Sequence, residues 1–427
     1  MTIVESQAPW LDKMPLDWGS TRIRNVADLS PGSSNRHPER SDLCTIVPME
    51  KLSDNGLIDI SNQQSFEDVQ AGLATFEEGD VLFAKITPCM ENGKGAFVDQ
   101  LPTKCAFGST EFHVLRPRSE VNGRFLYYAT FNPVFRAYAA ENMTGAAGQK
   151  RVSSRFLKDT RLFLPGMTEQ KSIAAYLDAS CRAIDGAVAA KRLQIEILKA
   201  LKTAFVLRAV TEGLNQNVKR TDHKIPNYGS TPQHWKRSKL RYEISVQNGD
   251  FVSDKLQDDG EYAVFGGNGI MGRTDKFNVD GETVIIGRVG AYCGNAQYVK
   301  GRVWISDNAL IVKSRNHGRF LSHLFKVLNF NTQANKTAQP VITGTKIKNT
   351  YVVLPPKKEQ EAISLFIEDK EAVFAEISGN LKTQIQTLLV YRKSLIHECV
   401  TGKRRITDAD VARVQEETPE EWRRKHP

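Results

Sequence analysis

No apolar run in the sequence approaches the ~18 residues that a membrane-spanning helix requires, which argues against a spanning segment. Cysteine is scarce as well. The six residues Cys44, Cys89, Cys105, Cys181, Cys293 and Cys399 are scattered, with no CxxC and no neighbouring histidine pair. That spacing speaks against a zinc ribbon and a disulfide framework, and predicts small buried hydrophobes. The opening residues MTIVESQAPWLDKMPLDW carry acids and prolines where an export signal needs a basic end and an apolar stretch, so a cytoplasmic location is expected. Walker A, HExxH and GxSxG patterns are missing. So is the Asn/Asp-Pro-Pro-aromatic loop of an amino-group DNA methyltransferase, since Pro355-Pro356 is flanked by Leu and Lys. Gly267-Asn-Gly-Ile-Met-Gly272 is a formal GxGxxG, but turn-like and strand-like residues follow it, so it reads as a glycine-rich loop between strands. Glu368-Asp-Lys370 lies in a helical stretch and reads as a solvated face. The expectation is a chain with no catalytic residue, no metal site and no bound cofactor.

What the sequence does contain is a repeat. At 427 residues it is about three times the usual domain size, so more than one core is expected. Leu164-Pro-Gly-Met-Thr-Glu-Gln170 recurs as Leu354-Pro-Pro-Lys-Lys-Glu-Gln360, an offset of 190. Val152-Ser153 and Ile342-Thr343 obey the same offset, as do Thr211 and Thr401. Each copy opens alike, with Pro15-Leu-Asp-Trp18 against Pro232-Gln-His-Trp235. The middles match loosely and consist of short β-rich strings broken by Gly, Pro and Asn, followed by short helices. Each copy ends in a stretch without proline, 168–211 and 358–401, that keeps one heptad phase. Its predicted packing positions are Ile173, Leu177, Ile184, Leu198 and Phe205 in the first helix. In the second they are Ile363, Ile367, Phe374, Ile377, Leu381, Leu388 and Leu395. The predicted fold is α+β: two globular domains in pseudo-repeat, separated by two long helices forming an antiparallel coiled coil. The corresponding divisions are 1–165, 166–212, 213–356 (an irregular linker and the second domain), 357–402, and a loose or partner-ordered tail at 403–427.

Charge indicates the partner. Lys and Arg number 58 against 49 Asp and Glu, a net charge of +9 that suits a polyanion. The basic character gathers in loops at matching places of the two repeats. Residues 144–158 hold Lys150, Arg151, Arg155 and Lys158 without an acid; residues 334–348 hold Lys336, Lys346 and Lys348, again without one. Residues 85–94 and 288–295 form a second matching pair. Lys and Arg suit phosphate contact, Asn, Gln, Ser, Thr and Arg suit base edges, and Gly allows close backbone approach. The candidate DNA contacts are Lys85, Thr87, Asn92, Lys94, Ser109, Thr110, Gln149, Lys150 and Arg151 in repeat one. Repeat two contributes Arg273, Arg288, Asn295, Asn308, Gln339, Lys346 and Lys348.

Two variable globules, each followed by a long helix opening with LP(x)3EQ, resemble the specificity subunit of a type I DNA restriction-modification system. The strings VPMEKLSDNGLI (47–58), GDVLFAKITPCMENGKGAF (79–97), GSTEFHVLRP (108–117) and FGGNGIMG (265–272) resemble its recognition domains, and the likeness extends over residues 15–403. The resemblance implies a non-catalytic reader of a bipartite, asymmetric site in double-stranded DNA, with one half-site per domain and a spacer set by the coiled coil. It further implies two docked methyltransferase subunits that methylate adenine at N6, and restriction subunits able to join them. S-adenosylmethionine, ATP and Mg would belong to those partners. The family's recognition domains vary most, so the contact residues above rest on composition and repeat position.

Overall fold

The computed structural model describes residues 3–32, 38–146, 148–225, 228–252, 256–257, 259–333 and 340–416. It divides into two compact units, Met1–Arg192 with Lys382–Pro427, and Leu193–Leu381. The proline-free stretches form single helices, Met167–Glu212 and Lys357–Val400. Each starts after a Leu-Pro step that ends a strand, Arg161–Leu164 or Tyr351–Leu354, because proline cannot extend the strand ladder.

Each unit contains half of both helices. In the first, Lys191 Nζ donates to Gln384 Oε1 at 2.6 Å, and Ile184 shares a core with Leu388 and Leu395. In the second, Lys202 pairs with Glu371 at 3.0 Å, and the Phe205 ring lies 5.4 Å from Phe366 and 6.0 Å from Phe374. Numbers rise on one helix as they fall on the other, so the pairing is antiparallel. Of the predicted packing positions, Ile173, Leu177, Ile184, Ile363, Ile367, Leu388 and Leu395 are buried. Leu198, Phe205, Phe374 and Leu381 are half-buried, whereas Ile377 is 42% exposed. The buried members lie where a globular domain also covers the helix; burial falls where the partner helix alone flanks it.

The two globular regions share one topology. The inner sheet of the first has the strand order Ala27–Leu29, Phe112–Pro117, Val81–Ala84, Gly95–Phe97, all antiparallel. In the second the order is Ile244–Asn248, Ala309–Ser314, Glu282–Gly287, Ala296–Lys300, again antiparallel. A smaller sheet beside each has a parallel pair at its heart, Leu43–Val47 with Cys105–Gly108 and Tyr262–Gly266 with Trp304–Ile305. The helices Gly123–Phe131 and Gly318–Leu328 supply apolar faces to the two cores.

The repeated motifs act as fasteners. Gln170 Oε1 accepts from Asn122 N at 2.8 Å while its Nε2 donates to Pro165 O at 3.0 Å. Gln360 repeats this with His317 N at 2.9 Å and Pro355 O at 2.9 Å. Each glutamine thus ties the start of a long helix to the N-cap of a domain helix, satisfying donors that would otherwise be orphaned. The glycines that follow the long helices, Gly213 and Gly402, have φ of +76° and +72°. A Cβ on Gly213 would lie 3.0 Å from Trp235, and one on Gly402 would strike Pro15. The end of each long helix therefore packs on a Pro-x-x-Trp opening.

Three expectations need correction. Cys44 and Cys105 are disulfide-bonded, being register partners on the parallel pair. Their separation of 61 residues hides this from any local spacing pattern. Cys181, Cys293 and Cys399 are buried thiols as expected, and Cys89 is half-buried. The stretch after the second long helix is not loose through residue 416. Ile406 is buried, Arg405 pairs with both Asp17 and Glu169, and Asp408–Glu416 is helical. The linker also carries a strand, Arg220–Asp222, paired with Ser230–Pro232.

Candidate nucleic-acid interface

In each domain three stretches meet at one end of the inner sheet, joined by the same backbone hydrogen bonds. In the first, Lys85 N donates to Glu111 O at 3.0 Å, Val152 N to Lys85 O at 2.9 Å and Thr87 N to Lys150 O at 3.0 Å. In the second, Arg288 N donates to Asn308 O at 2.9 Å, Ile342 N to Arg288 O at 3.0 Å and Gly290 N to Pro340 O at 3.0 Å. The loop after the central strand, the turn before its neighbour and the segment before the short helix are thereby equivalent in both repeats. These are the stretches whose composition suggested DNA contact.

The side chains divide by what they hold. Asn92, Thr110, Gln149 and Lys150 are exposed in the first domain, as are Asn295, Asn308 and Lys346 in the second. Lys85, Thr87, Ser109, Arg288 and Lys348 are half-buried; the Ser109 hydroxyl accepts from Glu111 N at 3.2 Å, and Arg288 Nη1 donates to Asp307 O at 3.4 Å. Arg151, Lys94 and Arg273 are held by further internal partners. Arg151 forms a forked pair with Glu111, with Nη2 to Oε1 at 2.7 Å, and the arginine beside it holds the Glu111 carboxyl below the usual carboxylate range. Lys94 Nζ donates to Met49 O at 2.8 Å. Arg273 donates through Nη2 to Glu261 O at 2.7 Å and through Nε to Gly260 O, bracing a hairpin. Gln339 lies outside the described residues, as does Lys336.

The GxGxxG string opens on the turn of that hairpin at 267–268 and runs on into its second strand, Gly269–Thr274, paired with Tyr262–Gly266. A Cβ on Gly267 would lie 3.3 Å from Gly287 and 3.5 Å from Asn308 O, so the hairpin abuts the convergent loops. Its next residues, Ile270 and Met271, are 65% and 47% exposed, and Tyr292 nearby is 48% exposed. Being uncharged, these apolar groups leave no mark on the charge pattern of the sequence. Beneath the first domain's loops, His113 is buried with Nε2 2.8 Å from Val152 O, and burial lowers its pKa. Among the described residues no cluster of His, Cys, Asp and Glu could hold a metal ion, and no helix is long and apolar enough to cross a membrane.

Two α+β domains with the same inner-sheet order each present a polar and basic loop cluster at one end of that sheet. A family model for the type I restriction modification DNA specificity domain matches residues 17–196 and 232–387. The chain belongs to that family. It is 33% identical over 175 residues to the EcoAI specificity subunit of Escherichia coli, a match covering 40% of this chain but 29% of that protein. The Escherichia coli EcoEI specificity subunit is 31% identical over 177 residues, with the same coverage of each protein. The matched part therefore spans under a third of these two relatives. A putative MjaX specificity subunit of Methanocaldococcus jannaschii is 22% identical over 431 residues, covering 93% of this chain and 96% of its own. Among solved structures, a chain from work on assembly and conformational transition of a type I R-M system superposes with a TM-score of 0.73, at 16% identity over 92% of this chain and 99% of that one. The HsdS subunit from Thermoanaerobacter tengcongensis gives 0.54 at 16% identity, covering 92% and 98%. These likenesses show the fold.

Proposed function

We propose that this chain reads a split, asymmetric DNA target, one half-site per globular domain, and brings methyltransferase subunits to it. The observation that carries the reading is the recurrence, in both domains, of the same three-stretch junction bearing exposed Lys, Asn, Gln and Thr side chains. Recurrence of geometry with different side chains is what two readers of different sequences require. Lys150 and Lys346 suit phosphate, whereas Asn92, Gln149, Asn295 and Asn308 suit base edges. Ile270 and Met271 suit the C5-methyl of thymine in the major groove. Arg151, Lys94 and Arg273 serve instead to shape the loops.

The 46-residue helix that leads out of the first domain makes spacer length a property of the protein, as half-site separation is for dimeric readers. Exposed apolar side chains at helical spacing, Leu193, Ile197 and Leu201, support docking of the methyltransferase subunits on the helix pair. The adenine would be flipped into a partner's pocket, with S-adenosylmethionine on that partner and ATP and Mg on restriction subunits where these join. A single-molecule methylome of the host with and without this gene tests the proposal. Loss of N6-methyladenine from one split motif on deletion is the expected result; a methylome that does not change would sink it.

A further inference from the structure

Two arginines are buried beneath the recognition loops of the first domain, and each spends donors on backbone carbonyls of those loops. Arg136, on the helix Pro133–Glu141, is 6% exposed. Its Nη1 donates to Met90 O at 2.8 Å and Lys94 O at 3.2 Å, and its Nε to Thr130 O at 3.1 Å. Both Met90 and Lys94 belong to the loop after the central strand. Arg392, on the second long helix, is equally buried, and its Nη2 donates to Asn55 O at 2.9 Å. Its Nε lies 3.2 Å from Asp185 Oδ1 of the first long helix, close enough for an ion pair but short of hydrogen-bond alignment. The Phe131 ring lies 5.0 Å from the Arg136 guanidinium and 5.7 Å from that of Arg392.

A buried guanidinium whose donors end on loop carbonyls fixes backbone, since each carbonyl that strayed would leave a buried charge undersatisfied. Lys94 Nζ also reaches Met49 O, in the turn Met49–Lys51 that leads into the loop at 53–57. The position equivalent to Arg392 in the other repeat is different. Subtracting the offset of 190 from Arg392 gives Lys202, whose side chain is 43% exposed against 8% for Arg392 and whose partner is Glu371 on the opposite helix.

We infer that Arg392 is a positioning residue for sequence reading by the first domain: with Arg136 and Phe131 it hangs the loops at 53–57 and 86–94 on the helix pair, so discrimination at one half-site depends on a residue of the second long helix. This rests on the DNA-reading proposal. It adds an asymmetry, since the second domain's reading does not depend on Lys202.

The test compares Arg392→Gln, Arg136→Gln and Lys202→Gln in the full chain, each co-expressed with its methyltransferase subunits. Affinity is measured for the parent duplex and for duplexes scrambled in either half-site. We expect Arg392→Gln and Arg136→Gln to lower the specificity ratio at the same half-site by tenfold or more, the scale of one lost base discrimination. The ratio at the other half-site should hold, and Lys202→Gln should leave both ratios at the parental value. Retained discrimination at both half-sites, equal loss at both, or loss at different half-sites in the two arginine variants would overturn the inference. Should Arg392→Gln fail to fold, Arg392→Lys serves. It keeps the charge but lacks the planar fork that serves Asn55 and Asp185 together, so unchanged discrimination in it would also overturn the inference. A parent complex that discriminates at neither half-site would remove the DNA-reading proposal itself.

Discussion

On the proposed split-site reading, shortening both long helices by one matched heptad changes the gap between half-sites by a calculable amount. The cross-helix pairs 191 with 384 and 202 with 371 sum to 575 and 573, so residues summing to about 574 face each other. Removal of 193–199 together with 375–381 therefore takes out opposing segments and leaves the pairs on either side in register. Seven residues at ~1.5 Å each remove about 10.5 Å, or about three base pairs at ~3.4 Å per step. Loss of the heptad rotates the downstream helix by only about 20°, because seven residues fall just short of two turns. Three base pairs rotate the groove by about 100° at ~10.5 base pairs per turn. The variant should thus keep both half-site sequences, shorten the spacer by about three, and methylate a smaller fraction of sites owing to the groove mismatch. A methylome of cells carrying the double deletion reads all three quantities. Altered half-site sequences at an unchanged spacer would refute the reasoning, since the helices would then be acting on the readers and not between them.

Lys150→Ala should lower the slope of log affinity against log salt by about 0.9 and weaken all duplexes alike, as expected of a phosphate contact; a selective loss for one sequence would reassign it to base reading. Ile270→Ala with Met271→Ala should abolish a roughly fourfold preference for thymine over deoxyuridine at one position, the worth of one buried methyl at ~0.8 kcal/mol. No thymine position at which the parent protein distinguishes the two would exclude that contact. Burial lowers the His113 pKa, so on acidification the unfolded chain takes up a proton near pH 6.5 before the folded one does. Stability should fall below that pH by up to about 1.4 kcal/mol per unit for this residue, and thermal melts of His113→Gln should show a shallower decline.

The frame was far more legible than the site. Periodicity and the absence of proline predicted both long helices to within a residue or so, because one apolar stripe against one partner is a local pattern. The offset of 190 singled out Gln170 and Gln360 before their role as fasteners could be seen. The disulfide and the docked residues 403–416 are invisible to local patterns because each depends on a partner far along the chain, and the linker strand is only three residues long. Arg151 and Arg273 show the same limit at the site: composition registers a positive charge, whereas only the fold reveals the glutamate 40 positions earlier or the carbonyl 13 positions earlier that occupies it. Ile270 and Met271 looked like ordinary hydrophobes until their exposure was known.

The interleaving of the two units bears on the order in which the chain can fold. The core that holds Trp18, Phe125 and Ile173 also holds Leu388, Leu395, Ile396 and Ile406, more than 200 positions later. Residues 193–381, by contrast, close a unit from one continuous stretch. During synthesis the first domain to leave the ribosome must wait for the end of the second long helix before its core is complete, whereas the second can finish ahead of it. Contacts this distant are slow to form and leave apolar surface open in the interval. A nascent chain halted before residue 382 would therefore expose the flank of the first long helix around Ile184, and that flank is where a chaperone would be expected to bind.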